Sequence, residues 1–333
     1  MFTVKKLATA VAAAAVLAAS IGSAQAVNFK ASHQWPGGKG DLRDEMVQMI
    51  ARHMKEQNTG VNIRVYPGKS LFKPKEQWGA MTKGRLDITA FPLSYAGGRH
   101  PEFNLTLMPG LVKNQEHAAR LNDSPFMARI KEIMAENGVM VLADTWLAGG
   151  FVSKTQCVLE PEDVKGQRFR AAGKAFNQML AAAGATITSM PSSEIYSGLQ
   201  TGVLDGANTS SSSLISYRIY EQVSCLTAPG ENALWVMYEP ILIAKSSFDK
   251  LSPEQQAELL KAGEAAEKFA AEEAVKVDKE LVEVYKKAGV KVVEMTPEQV
   301  AKWRAIAETS SYQAFAEQVA GGRELLDQAL AVE

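Results

Sequence analysis

Beyond residue 26, short β-rich runs alternate with helical stretches, and this alternation restricts the possible folds more than any other feature. The predicted strands are 61–66, 86–91, 139–146 and 186–190, and two of the predicted helices are 73–82 and 174–183. Strands that alternate with helices of about ten residues are typical of βαβ units in largely parallel sheets. The sequence therefore predicts an α/β protein.

A weak internal repeat indicates that this arrangement occurs twice. Residues 76–87 align without gaps with residues 194–205 and share the pattern E-x-[W/Y]-x-x-[M/L]-x-x-G-x-L-D. In each copy an aromatic residue and a Met or Leu fall on one helix face, a Gly ends the helix, and Leu-Asp leads into a strand. Two unrelated units of a common type would also look alike, and that alternative stays open. Two similar lobes, with strands ending at equivalent places, predict a ligand cleft between them.

A long helix is predicted towards the C-terminal end. Residues 253–288 contain no proline after the first position and a single glycine, Gly263. Ser252 is a suitable N-cap, and the proline after it suits the first helical position. A helix of this length would extend for about 50 Å and could run along both lobes. The alternative is two shorter helices broken near Gly263, and Thr296-Pro297 repeats the capping pattern before the terminal helices.

The N-terminal segment is typical of a cleaved secretion signal. Lys5 and Lys6 precede an alanine-rich apolar run over 7–22, and Ala24-Gln25-Ala26 follows as a cleavage motif. An N-terminal membrane anchor is the alternative, but the apolar run is shorter than a membrane span requires. We therefore expect residues 1–26 to be a signal peptide and the mature protein to be exported to the periplasm.

Charge and motifs exclude several classes of function. With 36 Lys and Arg against 37 Asp and Glu, the formal net charge is −1, which provides no basic footprint for nucleic acid. Two cysteines and four histidines do not favour a zinc site built from those residues. The chain contains no G-x-S-x-G, H-E-x-x-H or C-x-x-C motif, so we expect no catalytic residue, metal or cofactor. A secreted hydrolase is the alternative from a different class.

Two further features leave alternatives open. Cys157 and Cys225 are the only thiols, and an exported protein matures in an oxidising compartment. The pair would either form a disulfide or remain as two buried free thiols. The hydroxyl run from Ser210 to Ser213 has no histidine near it in sequence and is typical of a loop or a helix cap.

Residues 160–170, Glu-Pro-Glu-Asp-Val-Lys-Gly-Gln-Arg-Phe-Arg, resemble a segment of the solute-binding proteins of TRAP (tripartite ATP-independent periplasmic) transporters, the DctP family. The likeness continues in order through Gly184-Ala185, Met190-Pro191, 193–196 and 199–206. The resemblance implies a periplasmic-binding-protein-like fold, with two α/β lobes around a ligand cleft and a long helix spanning both. It places lobe I at 27–148 plus about 238–295, and lobe II at 149–237 plus about 296–333.

The same resemblance implies a receptor that catalyses no reaction. It would bind an organic acid as a monomer, close by a hinge motion, and deliver the ligand to the membrane permease subunits. Within binding proteins, the rival is an extracytoplasmic receptor that serves another transporter type or a sensor kinase.

Two residues are implied as ligand anchors. Arg170 matches the family arginine that holds the ligand carboxylate, and a guanidinium suits a carboxylate because both are forked. Asn208, which follows Asp205-Gly206, would donate an amide hydrogen bond to the same carboxylate. Without the resemblance, Arg170 would be a strand-end residue in a surface ion pair, and Asn208 would cap a strand or turn.

The chain departs from the family pattern at two places. Many members carry a further arginine where this chain has Gly149-Gly150-Phe151, and many have phenylalanine where this chain has Ser192. Loss of the second cation makes a dicarboxylate or a sialic-acid-like ligand less favoured. Ser192 would leave room, or offer a hydroxyl, near the carboxylate.

Aromatic residues lie where predicted strands or crossings meet the cleft: Trp35, with His33 beside it, Phe91, Trp146 and Trp235. Packing in the core is the alternative role for each of them. Together they predict an apolar wall facing Arg170, as ligand sites are commonly apolar with a few fixed polar groups. The favoured ligand is a monocarboxylate with an apolar or aromatic body, such as a 2-oxo or 2-hydroxy acid. A C4-dicarboxylate is the second choice.

Overall fold

The computed structural model describes residues 27–231 and 233–332, and the strands in this part of the chain form two sheets. The expected signal peptide, 1–26, lies outside the described residues. No helix in the described ranges combines the length and the apolar character needed to cross a membrane.

The strands, in chain order, are β1 Val27–Ser32, β2 Val61–Tyr66, β3 Ile88–Ala90, β4 Val139–Ala143, β5 Trp146–Ser153, β6 Arg168–Arg170, β7 Thr186–Thr188, β8 Gly206–Ser210, β9 Cys225–Ala228, β10 Val236–Tyr238, β11 Ile241–Ala244 and β12 Lys291–Glu294. The α-helices are α1 Leu42–Glu56, α2 Gln77–Thr82, α3 Gln115–Asn122, α4 Pro125–Glu136, α5 Lys174–Ala182, α6 Ile195–Gln200, α7 Ser211–Ser216, α8 Lys245–Phe248, α9 Pro253–Lys287, α10 Pro297–Ala307, α11 Gln313–Gln318 and α12 Gly322–Leu330. Short 3-10 turns precede α2 and α6.

Each sheet forms the centre of one α/β lobe. The first sheet has the strand order β2-β1-β3-β11-β4, in which β1 runs parallel to β2 and β3 while β11 is antiparallel to β3 and β4. The second has the order β12-β9-β5-β8-β6-β7, and β10 pairs with β5 outside this path. The predicted α/β class and the two-lobe arrangement are confirmed.

The chain crosses between the sheets at two adjacent segments, and a third time along α9, which leads from β11 to β12. It leaves the first sheet after Ala143 and returns to it at Ile241. The predicted single strand over 139–146 was wrong, because Asp144 and Thr145 separate two strands that belong to different sheets. The two adjacent crossings are held together by a hydrogen bond of 2.8 Å from the backbone nitrogen of Glu239 to the carbonyl oxygen of Thr145.

Sheet membership differs from the expected lobe boundaries at two places. All of β5 lies in the second sheet, so the crossing precedes the expected boundary at residues 148 and 149. Strand β12, expected in lobe I, pairs in parallel with β9 in the second sheet. The remaining lobe boundaries stay a prediction.

The two copies of the internal repeat have the same local structure. Asp87 accepts a hydrogen bond of 2.8 Å from the backbone nitrogen of Lys30, on β1. Asp205, its counterpart, accepts one of 2.8 Å from the backbone nitrogen of Arg168, on β6. In both lobes the aspartate thus ties the strand that follows it to the neighbouring parallel strand, which is why Leu-Asp recurs at this point.

Helix α9 is continuous and packs on both lobes, as predicted. Ser252 caps it, and the side-chain oxygen of Gln255 accepts a hydrogen bond of 2.9 Å from the backbone nitrogen of Ser252. The helix packs on α1 and β4 of the first lobe and on α7 and β12 of the second. Gly263 does not break the helix: a Cβ at this position would lie 2.1 Å from the carbonyl oxygen of Leu142, so glycine allows close contact with β4.

Candidate functional site

Arg170, the last residue of β6, is completely buried. Its Nε donates to the carbonyl oxygen of Met190 at 2.9 Å, and Nη1 donates to the carbonyl oxygen of Asn208 at 2.6 Å. Nη2 donates to the hydroxyl of Tyr95 at 3.2 Å. The side chain is therefore fixed by neutral groups from both lobes.

No carboxylate pairs with Arg170 within the described ranges. Burial lowers the pKa of its guanidinium, because water no longer solvates the charge. The recorded bonds use three of the five N–H groups and leave two. The surface ion pair that we considered for Arg170 belongs instead to Arg168, which is exposed and pairs with Asp205 at 2.7 Å. A buried cation without an anion is poised to receive one.

Tyr95 connects the two lobes beside Arg170. It lies in the short 3-10 helix Leu93–Ala96 that follows β3. Besides Arg170, its hydroxyl oxygen accepts from the backbone nitrogen of Ser192 at 3.0 Å and from Nε2 of Gln34 at 3.5 Å. The predicted residue Ser192 thus lies at this junction, although its contact there is made by the backbone. No sequence pattern distinguished Tyr95.

Asn208 lies on β8 and is completely buried. Its Oδ1 accepts from the backbone nitrogen of Ala172 at 3.2 Å, which fixes the orientation of the amide. Its Nδ2 has no hydrogen-bond partner among the described residues. A buried donor left unpaired is costly in free energy. The amide of Asn208 is therefore available to a ligand oxygen next to Arg170.

Trp235 and β8 leave no room for a side chain at Gly149, in the stretch where many family members carry a further arginine. Its indole is buried and packs against Phe151 and Phe176, with ring centroids 5.2 and 4.8 Å away. A Cβ at Gly149 would lie 2.4 Å from the carbonyl oxygen of Thr209 and 2.8 Å from Nε1 of Trp235. No side chain fits at position 149, and Nε1 of Trp235 is itself without a partner in the described structure.

The other predicted aromatic residues have separate surroundings. Phe91 packs against Trp78 and Tyr95. The indole Nε1 of Trp146 donates to Asn122 at 2.7 Å. No ring contact in the described ranges joins any two of the predicted four, and the structure does not bring them together as one wall.

His33 and Trp35 lie next to each other after β1. Their rings are stacked at 6.0 Å, and Nε2 of His33 is 3.0 Å from a carboxylate oxygen of Asp44. The other ring nitrogen of His33, Nδ1, is buried without a partner in the described structure. Trp35 donates from Nε1 to the hydroxyl of Ser213 at 3.1 Å, so its indole nitrogen is already hydrogen-bonded to the opposite lobe.

Arg43, on the first turn of α1, is a second buried arginine that the sequence analysis missed. Its Nε and Nη2 donate to Asp41 at 2.9 and 2.7 Å, and its Nη1 donates to Glu239 at 2.5 Å. Nη1 also donates to Ser210 at 2.8 Å and Nη2 to Ser213 at 3.1 Å. All five N–H groups are therefore occupied.

Electrostatics around Arg43 favour its charged form. Burial acts to lower the pKa of Arg43, but Asp41 and Glu239 outweigh burial and raise that pKa above its ordinary range. Burial raises the pKa of the Glu239 carboxyl, with Arg43 opposing the shift. The guanidinium also stacks 3.9 Å over the ring of Trp35. Charged residues are common in the first turn of a helix, so no local pattern distinguishes Arg43.

A cavity of about 330 Å³ adjoins these groups and is lined from both lobes. Residues around it include Lys75 and Tyr95 from the first lobe and Ala171, Lys174 and Met190 from the second. Ala171 follows Arg170 directly, and the carbonyl oxygen of Met190 accepts the hydrogen bond from Nε of Arg170. None of the four predicted aromatic residues lines this cavity.

Cys157 and Cys225 form a disulfide with their Cα atoms 5.1 Å apart. The bond ties the segment after β5 to β9 within the second lobe. In the described residues no group of three or more His, Cys, Asp or Glu side chains is placed to hold a metal ion.

Similarity to known proteins extends along nearly the whole chain. A family model described as bacterial extracellular solute-binding protein, family 7 (DctP), matches residues 32–318. A solute-binding protein from Albidiferax ferrireducens is 40% identical over 318 residues, which are 94% of this chain and 94% of that protein.

Solved structures agree with this assignment. A TRAP periplasmic solute-binding protein from Rhodoferax ferrireducens with bound malonate has a TM-score of 0.87 at 40% identity, over 90% of this chain and 96% of that one. An extracytoplasmic solute receptor from Bordetella pertussis that binds pyroglutamic acid shares the fold, with a TM-score of 0.82 at 22% identity over 91% and 99% of the two chains. The chain therefore belongs to the DctP family of bacterial extracellular solute-binding proteins, which are the substrate-binding proteins of TRAP transporters and not enzymes.

Proposed function

We propose that this protein is a periplasmic receptor that binds the carboxylate of an organic acid at Arg170, between its lobes, and delivers it to a TRAP permease. The observation that carries the proposal is the complete burial of Arg170 without a paired carboxylate in the described structure. A buried guanidinium is stable only when its charge is compensated, and the carboxylate of the ligand provides that compensation.

Three groups complete the carboxylate site. The two remaining N–H groups of Arg170 offer one donor on each terminal nitrogen. The unpartnered Nδ2 of Asn208 supplies a further donor, and Asn208 also holds Arg170 through its carbonyl oxygen. The hydroxyl of Tyr95, which accepts from Arg170 and Ser192, has its own proton to donate.

We further propose that the ligand is a monocarboxylate with an apolar or aromatic body, such as an aryl or branched 2-oxo or 2-hydroxy acid. Arg43 and Arg170 are the only buried cations among the described residues. Arg43 is fully engaged by Asp41, Glu239 and two serine hydroxyls, which leaves one guanidinium for a ligand. Gly149 and Gly150, in the stretch where a family arginine would provide another, are too closely packed for a side chain.

A C4-dicarboxylate is the second candidate, and two observations favour it. The Rhodoferax ferrireducens protein, which is 40% identical, holds malonate, a short dicarboxylate. Lys75 and Lys174 also line the cavity that adjoins the site, where they would attract a second carboxylate. Exposed lysines bind weakly because water solvates their charge, so we rank this candidate second.

Export and delivery belong to the same proposal. Residues 1–26 serve as the secretion signal, and the mature receptor acts as a monomer. Closure of the lobes around the ligand is what the permease recognises, because it must distinguish loaded receptors from empty ones. Tyr95 and Ser192, which meet across the lobes at 3.0 Å, make one contact of the closed form.

The test is a thermal-shift screen of the mature protein over carboxylic acids, followed by calorimetry on the acids that raise its melting temperature. We expect 4-methyl-2-oxopentanoate or phenylpyruvate to bind more tightly than succinate or malate. Succinate or malate binding more tightly than every monocarboxylate would replace the first candidate by the second. Failure of every acid to bind, or turnover of a bound acid followed by NMR, would contradict the receptor function itself.

A further inference from the structure

The two buried arginines are both bound to strand β8. Arg170 donates to the carbonyl oxygen of Asn208, and Arg43 donates to the hydroxyl of Ser210. Asn208 and Ser210 are two residues apart, about 7 Å along the strand, so both guanidinium groups belong to one buried region beside β8.

Arg43 has no free donor for a second ligand carboxylate. Its partners Asp41 and Glu239 occupy the positions that a ligand carboxylate would take. Asp41 is the N-cap of α1 and lies two residues away in sequence, whereas Glu239 comes from the return crossing between the sheets. Glu239 is 3% exposed, and its carboxylate lies 2.5 Å from Nη1 of Arg43.

The charges of the buried groups also disfavour a second ligand carboxylate. The buried groups around β8 are two arginines, Arg43 and Arg170, and two carboxyl groups, Asp41 and Glu239. Both carboxyl groups pair with Arg43 and neither pairs with Arg170, so one ligand carboxylate meets an unpaired positive charge and the second carboxylate of a diacid meets none. Each uncompensated buried charge is strongly unfavourable, so the second carboxylate is rejected more strongly than the first.

We propose that Glu239, supported by Asp41, is a specificity-determining residue that occupies Arg43 and thereby excludes short dicarboxylates from the site. This inference rests on the proposed function, because it assumes that the ligand carboxylate binds at Arg170. Specificity of this kind arises from a repulsive element against the wrong ligand as well as from attraction to the right one.

The experiment compares succinate with monomethyl succinate, which has nearly the same carbon chain and one carboxylate fewer. Calorimetry gives the ratio of the two dissociation constants for the wild-type protein and for Glu239→Gln, which keeps the size of the side chain and removes its charge. We expect the wild type to prefer monomethyl succinate and the variant to shift the ratio towards succinate by about tenfold or more.

Two further variants identify the cause. The double variant Arg43→Gln with Glu239→Gln should return the ratio to its wild-type value, because the released guanidinium is then absent. Glu267→Gln removes a half-buried carboxyl of α9 that binds the backbone nitrogen of Asp144, and it should leave the ratio unchanged. If Glu239→Gln does not fold, Asp41→Asn, which frees Nε and Nη2 of Arg43, gives the same comparison.

The outcomes separate this inference from the proposed function. A wild type that prefers succinate, or a folded Glu239→Gln variant with an unchanged ratio, would overturn the role of Glu239. A wild type that binds no monocarboxylate from the screen would overturn the monocarboxylate proposal on which it rests. A shift produced equally by Glu267→Gln would reduce the effect to net charge and reject the specific role.

Discussion

Nη2 of Arg170 donates a hydrogen bond of 3.2 Å to the hydroxyl of Tyr95, and the two residues belong to opposite lobes. The bond joins the cation that we assign to the ligand with a side chain of the facing lobe. Binding and closure therefore share one contact: the phenol that orients Arg170 also accepts from the backbone of Ser192.

Removal of the Tyr95 hydroxyl should weaken binding without unfolding the protein. A hydrogen bond to a charged group contributes about 1.5–3 kcal/mol, so Tyr95→Phe should raise the Kd by roughly ten- to a hundredfold. Calorimetry measures the Kd, and small-angle scattering reports whether the closed form is still reached. Tyr66→Phe, on the outer strand β2, is the control. Equal affinity of Tyr95→Phe and wild type would show that the phenol has no part in binding.

Arg170→Ala should remove most of the affinity for the ligand. Truncation of one partner of a buried charge pair costs about 2–5 kcal/mol, and Arg170→Lys should also bind poorly because an ammonium cannot replace the fork. Arg168→Ala is a matched control, since Arg168 lies on the same strand with its charge exposed and paired to Asp205. Unchanged affinity of Arg170→Ala for the best acid of the screen, measured by calorimetry, would refute its role as the anchor.

Asn208→Ala should weaken binding less than Arg170→Ala does. Its amide Nδ2 makes one hydrogen bond to the ligand carboxylate, which is worth about 1.5–3 kcal/mol. Both variants should be titrated with the same acid under the same conditions. A larger loss for Asn208→Ala than for Arg170→Ala would identify Asn208, not Arg170, as the principal anchor.

Affinity should fall as the pH rises, and the cause is Glu239. Burial raises the pKa of Glu239 above its ordinary value of 4.5, while Arg43 and Arg170 oppose this shift and Asp41 adds to it. A ligand carboxylate favours the protonated form of Glu239 further, so binding takes up a proton. Affinity is then greatest below the pKa of Glu239 in the free protein, and it declines above it.

Calorimetry in buffers of different ionisation enthalpy measures that proton uptake directly. Glu239→Gln should abolish the uptake and flatten the pH profile. The same shift affects stability: above pH 4.5 the folded chain binds more protons than the unfolded chain, so the contribution of Glu239 to stability falls with rising pH. A Kd that does not change from pH 4.5 upwards, and no proton uptake over that range, would exclude this coupling.

Gly263→Ala should lower the melting temperature, although alanine is the better helix former by about 1 kcal/mol. The added Cβ would meet the carbonyl oxygen of Leu142 at 2.1 Å, and overpacking of this kind costs about 1–3 kcal/mol. Gly79→Ala, in α2, is the control, because the nearest atom to its added Cβ is 3.9 Å away on the side chain of Arg99. A higher melting temperature for Gly263→Ala would show that α9 moves away from β4 without penalty.

Patterns of local sequence predicted much of the fold. The repeat predicted equivalent strand ends, and Asp87 and Asp205 make the same backbone contact in the two lobes. Residues 139–146 were predicted as one strand because apolar residues lie on both sides of Asp144 and Thr145, and only the pairing partners reveal that these two residues form a crossing. Such partners are distant in sequence and leave no local pattern.

The sequence predicted the site residues that lie in a family motif, and it missed those whose role depends on tertiary packing. Arg170 and Asn208 came from the resemblance, and the structure buries both, with Arg170 bonded to Asn208 of its own lobe and to Tyr95 of the other. Tyr95 and Arg43 were missed because their roles depend on residues of the other lobe or of the return crossing. The aromatic residues were predicted as one wall, yet each has its own packing partners.

Helix α9 also limits how the receptor can move. It is a continuous rod of 35 residues that packs on α1 and β4 at one lobe and on α7 and β12 at the other. Hydrogen bonds within a helix resist bending, so lobes fastened to one rod cannot swing apart freely in every direction. We expect opening to follow a single path, a rotation about an axis set by the rod. A permease that docks across both lobes would then distinguish a loaded receptor from an empty one by a single angle between the lobes.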